Sequence, residues 1–105
     1  MRDPRIAHVA DILVNYSTRL QPGEEVLIQG STAAEPMLLE IYRAAVRSGA
    51  HPLLMVQPSE AQEIFMCEAN DDQLRFISPF IDTLLERVDC RIALWAEENT
   101  SHDVG

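Results

Sequence analysis

The sequence contains no lysine. All eight of its cations are arginines, set against seventeen Asp and Glu, for a net charge of −9 over 105 residues. Nucleic-acid binding needs clustered cations that displace counterions, and anionic membrane surfaces need the same, so this balance argues against both partners. Long apolar runs are also missing. None approaches the ~20 residues needed to cross a bilayer, and Met1-Arg2-Asp3-Pro4 lacks the apolar stretch of a secretion signal. An intracellular, cytoplasmic protein is expected, in which the sequons Asn15-Tyr16-Ser17 and Asn99-Thr100-Ser101 go unused. Cysteine is scarce. Cys67 and Cys90, with no CxxC pair, are expected as buried free thiols rather than as a disulfide.

The signatures of several chemistries are absent as well. There is no HExxH, no GxSxG and no Cys–His pair in sequence. His8 and Asp11 share one face of a helix, but a single His–carboxylate pair falls short of the three protein ligands of a catalytic zinc. His51 precedes Pro52 at the start of a strand, and His102-Asp103 lies in a polar tail. The turn Gly30-Ser31-Thr32-Ala33-Ala34-Glu35 has one glycine and no lysine, and Glu35 adds negative charge where a phosphate would sit. It reads as a helix start rather than a phosphate cradle.

What is present is clear punctuation. Asp3-Pro4 opens a helix over about residues 4–19, with Ile6, Val9, Ala10, Leu13, Tyr16 and Leu20 at helical spacing. Pro22-Gly23 is a turn, and Val26-Leu27-Ile28 is a buried strand ending at Gly30. The next helix begins near Glu35-Pro36 and stops at Gly49; Thr32 and Glu35 fit a capping box, although Pro36 then lies beyond its first turn. Leu53 to Val56 form a second strand, and the 25–57 segment has the length of a right-handed βαβ crossover. Three short helices follow. Ser59-Glu60-Ala61-Gln62 fits a capping box, Asn70 caps the second helix, and Ser78-Pro79 starts the third, with Phe80, Ile81, Leu84, Leu85 and Val88 on one face. Cys90 to Ala96 reads as a third strand covered on both faces. The aromatics Tyr16, Tyr42, Phe65, Phe76, Phe80 and Trp95 all fall on apolar stripes, which predicts them in the core.

The expected fold class is α/β: three layers, with a mostly parallel three-stranded sheet and helices on both faces. Such a sheet is thin, so an apolar edge is expected to stay bare, which is a pairing hazard. The acidity is lopsided, with six acids and five arginines up to residue 57 and eleven acids and three arginines after it; a solvated face is the expected reading. Ligands of open parallel sheets bind at strand carboxyl ends. Here these are Gly30–Thr32, Gln57–Ser59 and Glu97–Thr100, with Thr32, Ser59 and Asn99 as the candidate rim of a small-ligand module with a Rossmann-like half-sheet. An interaction module using the uncovered edge is the other alternative.

The segments Asp3-Pro4-Arg5-Ile6, Leu13-Val14-Asn15-Tyr16-Ser17, Pro22-Gly23-Glu24-Glu25-Val26-Leu27-Ile28, Ala34-Glu35-Pro36, Gly49-Ala50-His51-Pro52, Ser78-Pro79 and Glu98-Asn99-Thr100 resemble, in that order, the N-terminus of the thermophilic metallo-aminopeptidase family that includes aminopeptidases T, S and II. The resemblance spans nearly the whole chain. It implies an N-terminal α/β domain of a longer, metal-dependent exopeptidase that removes N-terminal residues from peptides. It also implies two divalent ions (Zn, Co or Mn) in a C-terminal catalytic domain absent here, and homodimers around an enclosed cavity. The family's metal ligands and catalytic carboxylates lie later in its sequence. No catalytic, cofactor-binding or metal residue therefore carries over onto residues 1–105, and this chain alone is expected to be inactive.

Overall fold

Asp3 accepts a hydrogen bond from the Arg5 amide at 2.9 Å, and Pro4 opens helix α1, Pro4–Ile12, in a computed structural model that describes residues 3–95. The helix continues as a π-helical turn, Leu13–Ser17, instead of running regularly to residue 19. The Thr18 hydroxyl then donates to the Val14 carbonyl at 3.0 Å, and Arg19 takes a φ of +52°, which turns the chain toward the sheet. Strand β1 is Glu25–Ser31, and after a 3-10 turn, Thr32–Ala34, helix α2 runs Glu35–Arg47 with Pro36 accommodated in its first turn. Strand β2 is His51–Gln57, helices α3 to α5 are Ser59–Glu68, Asp71–Arg75 and Pro79–Arg87, and strand β3 is Cys90–Leu94.

The strand order is β2-β1-β3, and both pairings are parallel. The sheet is the expected α/β architecture, with β1 central. Helix α2 connects β1 to β2 and packs on both strands, and the α3–α5 segment carries the chain from β2 across to β3 on the other side of β1. The turns at the amino end of the sheet lock together. Gly23 and Gly49 both have positive φ, +86° and +88°, and the Gly23 amide donates to the Gly49 carbonyl at 2.9 Å. A side chain at either position would be strained in that backbone region.

The core lies between the sheet and the α1/α2 layer. Val26 and Ile28 of β1 and Ile92 of β3 meet Ala10, Val14, Leu38, Ile41 and Ala45 from the helices, all of them buried. These side chains are aliphatic or alanine, so the helices approach closely and leave no room for rings. This overturns the expected aromatic core. Tyr16, Tyr42, Phe65, Phe76, Phe80 and Trp95 are all exposed, from 37% for Tyr42 to 86% for Phe80. The α5 stripe fares alike, with Ile81 and Leu85 exposed and no residue of α3, α4 or α5 buried.

The expectation that β3 is covered on both faces also fails. Ile92 is buried against the core, but Arg91 and Ala93 are exposed on the opposite side. The strand ends at Leu94, and Ala96 lies outside the described residues. On that opposite face only the central strand is well shielded. Leu27 is buried between its register partners Leu53 and Arg91, whereas Leu53 itself is exposed on the outer strand.

Candidate functional site

The strand order reverses direction at β1, so the carboxyl end of the sheet is where an open parallel fold would hold a ligand. Two of the three rim residues are brought together there. Ser31 and Gln57 are register partners at the ends of β1 and β2, which sets the next turns side by side. The Thr32 hydroxyl oxygen accepts a hydrogen bond from the Ser59 amide at 3.2 Å and lies 3.3 Å from the Ser59 hydroxyl.

This contact corrects two expected capping boxes. Ala34 precedes α2 and Pro58 precedes α3, and neither helix has a side-chain cap. The hydroxyls read as caps for their own helices bridge the two turns instead, because the parallel pairing of β1 with β2 sets Thr32 beside Ser59. The caps at Asn70 and Ser78 form as expected, in segments with no such neighbour. Asn70 and Gln73 exchange reciprocal bonds at 3.0 and 2.8 Å, and Ser78 accepts from the Phe80 amide at 3.2 Å. The third part of the rim, Glu97–Thr100 with Asn99, lies outside the described residues, as does His102-Asp103.

The crevice between β1 and β3 is closed by close backbone approach. A Cβ at Gly30 would stand 2.2 Å from the Leu94 carbonyl oxygen and 2.9 Å from Leu38 Cδ1. Sequence reading identified Gly30 as a strand end. Its contact with a residue 64 positions away carries no local signal. Ser31, part of the turn weighed in the sequence, is buried beside it; Glu40, buried on α2 with its carboxylate 3.6 Å from the Arg43 guanidinium, was not singled out by any motif.

Among the described residues, no group of three or more His, Cys, Asp and Glu side chains could hold a metal ion. The residues present therefore do not fit a two-metal centre, and no hydrolytic step runs through them. His8 and Asp11 line only an open surface groove with Pro4 and Ala7. No helix among the described residues is long and apolar enough to cross a membrane.

The cysteines are both free, but only Cys90 is partly covered; Cys67, expected buried, is exposed on α3. Its helix buries nothing, so the apolar neighbours in sequence do not enclose it. Burial pushes the Cys90 thiol up, and the Glu24 charge adds to this against hydrogen bonds from the Thr18 side chain and the Arg91 backbone. Iodoacetamide at pH 8 should therefore modify Cys67 about tenfold faster than Cys90, because the thiolate is the reacting form and must be accessible. Peptide mass spectrometry over a time course reads this directly. Equal rates would mean that β3 does not shield its first residue.

Comparison with known proteins gives one family. Residues 2–104 match the thermophilic metalloprotease (M29) family, which covers nearly the whole chain. No curated protein matches significantly. This family match over nearly the whole chain shows that the chain belongs to the thermophilic metalloprotease (M29) family.

Proposed function

We propose that this chain is the N-terminal α/β part of a metal-dependent aminopeptidase, a cytoplasmic homodimer that removes N-terminal residues from peptides. In this reading the chain walls the substrate cavity, and the two divalent ions and the catalytic carboxylates belong to another part of the parent enzyme. The observation that carries the reading is the family match over residues 2–104 on a chain whose described residues converge on no metal-holding group. Peptide hydrolysis by such an enzyme needs a metal-activated water and a polarised carbonyl. Among the described residues no three or more His, Cys, Asp and Glu side chains gather into a group that could hold such an ion.

The test is an assay of the purified chain on leucyl-p-nitroanilide with added cobalt or zinc. The expected result is no release of p-nitroaniline above buffer. Turnover that copurifies with the chain after contaminating peptidases are removed would overturn the reading that the chemistry lies elsewhere.

A further inference from the structure

We propose that residues 60–88 form a strap that opens and refolds on its own, while β2 and β3, which it connects, stay paired to β1. The strap is tied down at its two ends, and the ties lie at opposite ends of the sheet. At its start, the Ser59 amide donates to the Thr32 hydroxyl at 3.2 Å, beside the carboxyl ends of β1 and β2. At its finish, two bonds join Asp89 to the first residue of β1. The Asp89 amide donates to the Glu25 carbonyl, and the Glu25 amide donates to the Asp89 carboxylate, both at 2.9 Å.

Between the ties, little holds the strap down. Helices α3, α4 and α5 have 10, 5 and 9 residues, and none of them buries a side chain. Isolated helices shorter than about 12–15 residues are marginal in water, and most helical stability in a protein comes from packing one face. Here the apolar side chains stay in solvent, with Ile64, Met66, Phe76, Ile77 and Phe80 all more than half exposed. The bonds that shape these helices are local. Asn70 and Gln73 cap each other, Ser78 caps α5, and the Arg75–Asp72 pair is exposed on both sides. Contacts of this kind shape a helix without coupling it to a core.

The strand that follows is held differently. Ile92 of β3 is buried in the core, and β3 pairs in register with β1 from Val26 and Cys90 to Gly30 and Leu94. Opening of the strap therefore uncovers no core side chain and breaks no rung of the sheet. Segments with few buried apolar groups open at a free energy near zero, far below that of the whole fold. The inference rests on burial and on the two ties, not on the peptidase reading.

Hydrogen exchange of the full chain tests it. Amides of residues 60–88 should exchange within about tenfold of unfolded-chain rates, while those of α2 and those that pair β1 with β3 are slowed at least about a thousandfold. The chain has no lysine, so trypsin cuts only after arginine, and it should cut after Arg75 in the strap at least about a hundredfold faster than after Arg43 or Arg47 in α2. Asp89→Ala removes one bond of the second tie. It should speed exchange in the β1–β3 ladder about fivefold and leave the strap unchanged. Strap amides protected like those of α2, a β1–β3 ladder that exchanges as fast as the strap, cleavage in α2 before Arg75, or a ladder unaffected by Asp89→Ala would each overturn the proposal.

Discussion

Replacing Gly30 with alanine should destabilise the fold by about 3 kcal/mol, at the upper end of the usual range for overpacking. The cause is not backbone strain, since Gly30 lies in ordinary extended strand. It is the space around it: the added Cβ would sit 2.2 Å from the Leu94 carbonyl oxygen, with Leu38 Cδ1 at 2.9 Å on another side. A side-chain tip could rotate away, but the Leu94 carbonyl belongs to the β3 backbone, paired in register with Gly30 itself. Relief therefore requires β3 to move off β1, which opens Ile92 and weakens the ladder that joins the last strand to the sheet. A small domain has only about 5–15 kcal/mol to lose. For a chain of this size the change lowers the urea midpoint by roughly 1.5 M at an unchanged slope. Circular dichroism against urea measures it, and a midpoint near that of the parent chain would show that β3 does not approach β1 as described.

Truncating Ile41 to alanine should cost about 2–5 kcal/mol, while truncating Phe80 to alanine should change stability by no more than about 0.5 kcal/mol. Ile41 on α2 is fully buried among Val26, Ile28, Leu38 and Ala45, and its removal leaves a cavity that rigid neighbours fill poorly. Phe80 begins α5 at 86% exposure, so nothing packed is lost with its ring. The ranking inverts what residue size suggests, since phenylalanine is the larger apolar group. Parallel denaturation curves of the two variants decide it. A loss at Phe80 comparable to that at Ile41 would mean that the α3–α5 connection packs on the sheet far more closely than its exposed side chains indicate.

Part of this molecule was legible from its residues. The Asp3-Pro4 helix start, the Pro22-Gly23 turn and the Gly49 stop act within a few residues, through fixed φ, missing amides and short capping side chains. The strand–helix–strand length of the 25–57 segment gave the parallel pairing of β1 and β2, because a crossover that long returns a strand in the same direction. The open edge was legible too, since three strands in one sheet must leave edges. Where a second partner competed, local reading failed. Thr32 and Ser59 look like helix caps in sequence, yet each finds the other across 27 positions. The regular helix expected to residue 19 gives way to a π-helical turn over Leu13–Ser17, and six aromatics on apolar stripes stay outside the core.

The sequence by itself determined the element order, the parallel α/β class and the net charge of −9. All of these follow from composition, spacing and short-range backbone preferences. Its ordered motifs also pointed to the family to which residues 2–104 are matched. Only the tertiary structure decided that Gly30 must be glycine, that two hydroxyls bridge neighbouring strand ends, and that Leu54 of β2 packs against the core while Leu53 and Met55 stand exposed. It also showed that no described residues gather into a metal site. These depend on which strand lies beside which and in what register. That pairing is set by packing between residues far apart in the chain, and no single segment encodes it.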